Sequence, residues 1–170
     1  MHLVIMAGGS GTRFWPKSTS RRPKQLLPWG GKTLLRQTLD RFDNLVPQDK
    51  RWIVTTESLA RAIAHDAPEA RILAEPQARN TAPCVYWAAR EIAKIDPKAV
   101  MLMMPADHYI PQEDAFRKTV ADAARWAETH DDLVTLGVTP TRPETGYGYL
   151  KLGEKLVGGA HRVERFVEKP

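Results

Sequence analysis

The chain has 170 residues, of which 42% are hydrophobic and 26% are charged, so its composition is that of an ordinary globular domain and not of a disordered segment. No apolar stretch is long enough to span a bilayer, and the single cysteine, Cys84, excludes an internal disulfide and fits a reducing, cytoplasmic compartment. The 25 basic and 20 acidic residues give a net charge of +5, which suits a polyanionic small ligand and also a nucleic acid.

Short apolar runs alternate with helical patterns along the first part of the chain. Helices are predicted where apolar residues recur at helical spacing, over residues 34–42, 85–92 and 116–127. Ser58 is expected to cap a further short helix, and Thr81 to begin the helix that contains Cys84. The predicted strands are residues 3–6, 52–55, 71–74, 100–104 and 133–138. This alternation predicts an α/β fold with a mostly parallel sheet and helices on both faces.

The pattern changes after Pro140, where polar and apolar residues alternate. Residues 146–151 predict one strand and residues 162–167 its antiparallel partner, with a turn at Gly158 and Gly159 between them. The sequence therefore predicts an antiparallel part at the C-terminal end of the chain.

A glycine-rich loop follows the first predicted strand. Glycine lets the backbone adopt a positive φ and leaves N–H groups open to a ligand, so Gly8, Gly9 and Gly11 after a strand indicate a phosphate-binding loop, with Arg13 adding a fixed positive charge. The spacing matches neither the dinucleotide fingerprint nor the P-loop, and a purely structural turn is the alternative. The segment from Ala7 to Pro28 is long for a connection in a compact domain, as functional loops often are.

Two carboxylates, Glu75 and Asp107, follow predicted parallel strands. Ligands of parallel sheets bind beyond the carboxyl ends of the strands, so both are expected on the same edge as the glycine loop. Glu75 could accept two hydrogen bonds from a ligand that carries two adjacent donors, or could be an exposed residue at a strand end. Asp107 could be a turn former, or could be paired or bound to a metal, because burying an isolated carboxylate is costly.

Five sequence blocks, taken together, resemble the sugar-nucleotide pyrophosphorylases, and within them the family of mannose-1-phosphate guanylyltransferases. The blocks are GGSGTRFWP (8–16), PKQ (23–25), EP with RNTAP (75–83), PADH (105–108), and GYGY (146–149) with FVEKP (166–170). The resemblance implies a Rossmann-like nucleotidyltransferase domain over residues 1–170. It also implies an enzyme that makes GDP-mannose and pyrophosphate from GTP and mannose 1-phosphate. Family members are about twice this long or more, so we expect the chain to be the N-terminal part of a catalytic domain and to turn over poorly when alone.

The same resemblance implies roles for individual residues. Lys24, otherwise an ordinary loop lysine, would bind the transferred α-phosphate, Arg13 would neutralise pyrophosphate, and Asp107 would bind Mg²⁺. The remaining implied contacts are to the nucleotide, from Gly8, Gly9, Ser10, Gly11, Thr12, Glu75, Arg79, Asn80 and Thr81, and to the sugar phosphate, from Gly146, Glu168 and Lys169.

Two alternatives stay open at this point. One is a pyrophosphorylase for another sugar 1-phosphate, and the other is a nucleotide-sugar binding module without turnover. A nucleic-acid partner is disfavoured because aromatic and basic residues are not interleaved on a sheet face. Met1 leads directly into a strand, so we expect no signal peptide and no membrane association. A homo-oligomer is possible.

Overall fold

The computed structural model describes residues 1–9, 14–19, 22–77 and 80–168. Its ordered elements alternate as the sequence predicts. The strands are β1 (His2–Met6), β2 (Pro28–Trp29), β3 (Lys32–Thr33), β4 (Arg51–Thr56), β5 (Arg71–Glu75), β6 (Met101–Pro105), β7 (Gly148–Lys155) and β8 (His161–Glu168). The α-helices are α1 (Leu34–Asp40), α2 (Glu57–Asp66), α3 (Thr81–Ala93) and α4 (Glu113–Thr129).

The chain divides into two compact units, Met1–Ala124 and Arg125–Pro170. The first unit contains a four-stranded sheet in the order β5-β4-β1-β6, and each neighbouring pair of strands is parallel. This order places β1 in the interior of the sheet, with the chain crossing to β4 on one side and to β6 on the other. The direction of winding therefore reverses at β1, and ligands of open parallel sheets bind at such a reversal.

Apolar side chains cover both faces of this sheet. On one face, Val4, Trp52 and Val54 form a buried cluster with residues of α3, which include Cys84 and Ala88. Alternate strand residues point to the opposite face, where Leu3, Ile5 and Ile53 are completely buried. The four strands and the helices that flank them confirm the predicted α/β fold.

The second unit contains an antiparallel hairpin of β7 and β8, which confirms the predicted C-terminal pairing. A short 3₁₀ turn, Val157–Gly159, joins the strands, and Gly158 and Gly159 adopt φ values of 75° and 83°. Only glycine adopts these angles without strain, which explains the pair of glycines at the turn.

Two local predictions are wrong. Residues 133–138 do not form a strand, and Leu133 and Val138 are almost fully exposed, because no described strand pairs with this segment and an extended run needs a partner for its backbone groups. Ser58 does not cap α2, because the helix begins at Glu57 and Thr56 occupies the cap position, so Ser58 lies inside the first turn.

Candidate functional site

The carboxyl ends of β1, β4, β5 and β6 form one edge of the sheet, because all four strands run in the same direction. Gly8 and Gly9 follow β1, Glu75 is the last residue of β5, and Asp107 follows β6. The structure therefore places these residues on one edge, as the strand pattern predicts. We call this edge, with the side chains described below, the rim.

Lys24 reaches the rim from the segment between β1 and β2. It begins a short 3₁₀ helix, Lys24–Leu26, directly after Pro23, and its Nζ donates a hydrogen bond to Oδ2 of Asp107, 83 residues further along the chain. The two side chains are 28% and 18% exposed, so the ion pair is partly shielded from water but open to a ligand. The Lys24 side chain passes over Gly9, where an added Cβ would lie 3.5 Å from Cε.

Glu75 occupies the opposite end of the rim. Its carboxylate lies against Gly8, since a Cβ on Gly8 would be 3.4 Å from Oε2, and it is 9% exposed. Burial raises the pKa of Glu75 above that of an ordinary glutamate. Within the described parts of the chain, no hydrogen bond or ion pair involves this carboxylate. A buried acid that has no partner among the described residues is a candidate for ligand recognition.

These contacts arrange the rim residues in a continuous row. Glu75 lies beside Gly8, Gly9 lies beneath Lys24, and Lys24 is paired with Asp107. Glu75 ends one edge strand of the sheet and Asp107 follows the other, three strand spacings away. This separation is roughly 14 Å between strand ends, given about 4.8 Å between neighbouring strands. The row thus presents an acid at one end, open backbone in the middle, and a cation with a second acid at the other end.

Two polar residues that the sequence analysis did not single out hold the glycine segment in place. Gln25 is fully buried and its Nε2 donates a hydrogen bond to the carbonyl oxygen of Ala7, to which Thr55 Oγ1 also donates at 3.1 Å. Ala7 N–H in turn donates to Val54 at 2.8 Å. A threonine at the end of an otherwise apolar strand, and a glutamine next to the candidate lysine, were the only signals in the sequence.

The segment before α3 has an unusual backbone conformation. Asn80 adopts φ 77° and ψ −179°, and among the described residues it is the one non-glycine position with a positive φ. Conformations of this kind are rare outside glycine and concentrate at functional sites. Thr81 follows as the first residue of α3, as predicted.

Six candidate residues lie outside the described ranges, and their predicted roles stay predictions. They are Ser10, Gly11, Thr12, Arg13, Arg79 and Lys169.

The second unit has its own candidate site at the start of the hairpin. An open cleft of about 330 Å³ is lined by Pro143, Glu144, Thr145, Tyr149 and Val167. Gly146 N–H donates to Glu144 Oε1 at 3.0 Å, and Tyr149 Oη donates to the carbonyl oxygen of Glu144 at 2.9 Å. Glu168 lies opposite Gly148 in the hairpin, and its Oε2 would be 2.9 Å from a Cβ added to that glycine. Gly146 and Glu168 both lie in the second unit, Arg125–Pro170.

Cys84 is not a candidate nucleophile. It is buried in α3, and burial together with the charge of Glu75 raises the pKa of its thiol to about 11. The reactive species is the thiolate, so a thiol of this kind is inert near neutral pH. Packing in the core of the first unit is its role, as its position in the helical pattern predicts.

No group of three or more His, Cys, Asp or Glu side chains forms a metal cage among the described residues. Asp107 is the carboxylate available at the Lys24 end of the rim, and it fits a cation that is completed by water and phosphate oxygens, as Mg²⁺ commonly is. The same described residues contain no helix that is long and apolar enough to cross a membrane.

Comparison with known proteins identifies the family of the chain. A sequence profile described as nucleotidyl transferase matches residues 2–170. The mannose-1-phosphate guanylyltransferase of Salmonella montevideo is 41% identical over 179 residues, which cover 98% of this chain and 37% of that protein. The enzyme of the same name from Escherichia coli K12 is 40% identical over 182 residues, which cover 100% of this chain and 38% of that protein.

A solved structure from Thermus thermophilus, described as a mannose-1-phosphate geranyltransferase, superposes with a TM-score of 0.91 at 41% identity. The match covers 99% of this chain and 50% of that one. The chain thus spans less than two fifths of the length of the two enzymes above and half of the solved protein.

Proposed function

The chain belongs to the nucleotidyl transferase family, and we propose that it transfers GMP from GTP to mannose 1-phosphate, which yields GDP-mannose and pyrophosphate. The observation that carries this proposal is the row of rim residues, because its order matches the order of groups in a nucleoside triphosphate. The names of the relatives from Salmonella and Escherichia coli support the choice of guanine and mannose 1-phosphate.

The base end of the row is Glu75. An ionised carboxylate has two oxygens that accept in parallel, and guanine offers two parallel donors on one edge, N1–H and the exocyclic amine. Adenine and thymine lack this pair of donors, so they would leave the buried carboxylate unsatisfied. Asn80 and Thr81 begin the helix that follows β5, and we propose that they contact the ribose or phosphates together with Arg79.

The middle of the row is the glycine segment. Gly8 and Gly9 place backbone without side chains between Glu75 and Lys24, so a nucleotide can approach the main chain closely. We assign the residues that continue this segment, Ser10, Gly11 and Thr12, to the phosphates, as the family resemblance implies.

Lys24 is assigned to the α-phosphate, and the reaction needs no general base. The phosphate of mannose 1-phosphate has a second pKa of about 6, so it is already ionised near neutral pH. One of its oxygens attacks the α-phosphorus, a new P–O bond forms, and the bond to the β-phosphate oxygen breaks with departure of pyrophosphate. The protein positions the reactants and neutralises charge, with Lys24 at the α-phosphate, Arg13 at the leaving pyrophosphate and Lys169 at the sugar phosphate.

Family members of this kind generally use a divalent metal, and Asp107 fits Mg²⁺ as a hard oxygen ligand. When bound, Mg²⁺ would neutralise charge on the phosphates. Lys24 Nζ donates a hydrogen bond to Oδ2 of Asp107, and no hydrogen bond among the described residues involves Oδ1. We assign Gly146 and Glu168 to the mannose moiety, where glutamate would accept hydrogen bonds from sugar hydroxyls.

We propose small-molecule substrates in the cytoplasm for this chain, and not a nucleic acid or a membrane partner. Association into a homo-oligomer is part of the same hypothesis, as the family resemblance allows.

The test uses one protein sample for two measurements. Calorimetry with GTP and Mg²⁺ measures nucleotide binding, and release of pyrophosphate upon addition of mannose 1-phosphate measures turnover, with the Escherichia coli relative as the positive control. Binding of GTP in preference to ATP and dTTP supports the assignment of the rim. A panel of other sugar 1-phosphates then distinguishes the mannose enzyme from a related pyrophosphorylase, and absence of GTP binding would contradict the proposal.

A further inference from the structure

Two side chains, Thr38 of α1 and the helix's C-cap residue Arg41, contact the backbone on either side of Asp107. Thr38 and Arg41 are three residues apart, so they lie on the same face of the helical segment, and they are 1% and 4% exposed. Thr38 Oγ1 donates to two backbone carbonyl oxygens, that of Leu34 in the same helix at 3.0 Å and that of Ala106 at 3.3 Å. Arg41 Nη2 donates to the carbonyl oxygen of His108 at 3.4 Å.

The backbone of Ala106 is also held from the sheet. Its N–H donates to the carbonyl oxygen of Met6 at 3.3 Å, and its side chain is 2% exposed. The residue before Asp107 is therefore fixed by both β1 and α1, while the residue after it is fixed by Arg41. Hydrogen bonds from Thr38 and Arg41 therefore hold the backbone immediately before and after Asp107.

Arg41 is otherwise poorly satisfied for a buried cation. Among the described residues, its Nε and Nη1 have no hydrogen-bond partner, and its ion pair with Glu113 is long, at 3.6 Å between Nε and Oε1. Burial holds the pKa of this guanidinium below that of an ordinary arginine. Apolar side chains of similar size often replace buried charges without loss of stability. An apolar residue could make neither the ion pair with Glu113 nor the hydrogen bond to the backbone of His108, and only the second of these reaches the segment around Asp107.

We propose that Thr38 and Arg41 are positioning residues that set the place of the Asp107 carboxylate, and thereby its affinity for a divalent cation. Neither side chain touches the substrate, since each acts through a backbone carbonyl next to Asp107. This inference rests on the proposed function, in which Asp107 binds the metal.

The test measures binding of Mn²⁺ to the GTP complex of the chain by electron paramagnetic resonance, because Mn²⁺ also prefers oxygen ligands. Thr38→Val removes the hydroxyl at nearly constant volume, and Thr38→Ser restores it. Arg41→Met removes the donors and keeps an unbranched stem. Thr119→Val on α4 and Arg61→Met on α2 are matched controls at exposed positions. GTP affinity in EDTA and thermal unfolding are measured on every variant.

We expect Thr38→Val and Arg41→Met each to weaken Mn²⁺ binding roughly tenfold, as loss of an outer-shell contact typically does. GTP affinity in EDTA and the unfolding temperature should stay near those of the wild type, and Thr38→Ser should recover Mn²⁺ binding. Unchanged Mn²⁺ affinity in Thr38→Val would overturn the inference. A joint fall in Mn²⁺ affinity, GTP affinity and unfolding temperature would also overturn it, because that pattern indicates a general structural role.

Asp107→Asn separates this inference from the proposed function. If Asp107→Asn weakens Mn²⁺ binding while Thr38→Val does not, the metal site stands and the positioning role fails. If the wild-type chain does not bind Mn²⁺ with GTP, the metal role of Asp107 fails, and the positioning role fails with it. If Arg41→Met does not fold, the comparison of Thr38→Val with Thr38→Ser decides the outcome.

Discussion

The Glu75→Gln substitution tests base recognition at the rim. Glutamine has almost the same shape as glutamate, but it replaces one acceptor with an amide donor, which would face a donor of guanine. The carboxylate is 9% exposed and has no protein partner among the described residues, so a bound base would be its main hydrogen-bond partner. We therefore expect the substitution to act on nucleotide choice more than on the fold.

The magnitude follows from the loss of one hydrogen bond to a charged group. Such bonds contribute about 1.5–3 kcal/mol, so their loss should raise the dissociation constant for GTP by roughly 10- to 150-fold. Binding of ITP, which lacks the exocyclic amine, should already be weaker than that of GTP in the wild type. In the variant this preference for GTP over ITP should shrink.

The pH dependence gives a second, independent readout. Burial raises the pKa of Glu75, so the carboxylate gains its proton at a higher pH than an ordinary glutamate does. Wild-type affinity for GTP should therefore fall as the pH is lowered through this raised pKa, and Glu75→Gln should lack that step.

Folding stability responds in the opposite sense. A raised pKa in the folded state means that ionisation of Glu75 lowers stability as the pH rises through that pKa. Glu75→Gln removes this effect, so its unfolding temperature at neutral pH should equal or exceed that of the wild type.

Calorimetry with GTP and ITP, repeated over a pH series, measures these effects. Glu57→Gln is the matched control, because Glu57 is an exposed glutamate at the start of α2 and its removal changes the net charge equally. Equal affinity of the wild type for GTP and ITP, or an identical loss in Glu57→Gln and Glu75→Gln, would refute the assignment of Glu75 to guanine.

Three further predictions concern other residues of the first unit. Lys24→Ala should lower turnover by about 100-fold or more, and GTP affinity much less, because charge neutralisation matters most where charge develops in the transition state. Steady-state kinetics in a full-length context measure this, and unchanged turnover would exclude the role. Asn80→Gly should relieve about 1–3 kcal/mol of backbone strain in the folded state. The greater conformational entropy of glycine in the unfolded chain offsets about 0.5–1 kcal/mol of this gain. The unfolding temperature should therefore rise by a few degrees, at about 2–4 °C per kcal/mol. A calorimetric scan showing a lower unfolding temperature would contradict this conformational argument. Cys84, with a thiol pKa of about 11, should react with a disulfide reagent at neutral pH far more slowly than it does in the unfolded chain, and equal rates would show that the thiol is accessible.

Local patterns were enough to predict most of the sheet. β1, β4, β5 and β6 are short apolar runs bounded by helical patterns, and right-handed parallel packing leaves few alternatives for where their carboxyl ends meet. Residues 133–138 have the same apolar character, yet they form no strand in the structure, because strand formation depends on a partner that composition does not reveal.

Long-range contacts of the site were not predictable from the residues alone. The Lys24 and Asp107 side chains are 83 positions apart, and their pairing depends on the path of the segment between β1 and β2. Thr38 belongs to a helical pattern that identifies it only as inward-facing, and its contact with Ala106 depends on where the fold places α1 relative to the segment after β6. Family resemblance indicated Lys24 and Asp107, but their supporting residues emerge only from the structure.

The most direct test of the account is a crystal structure of the chain with GDP-mannose and Mg²⁺. We expect guanine against the Glu75 carboxylate, the phosphates over Gly8 and Gly9, and the Lys24 ammonium within hydrogen-bond distance of the α-phosphate, with the metal on Asp107. A nucleotide bound away from the rim, or bound at the rim with its base next to Asp107, would contradict it.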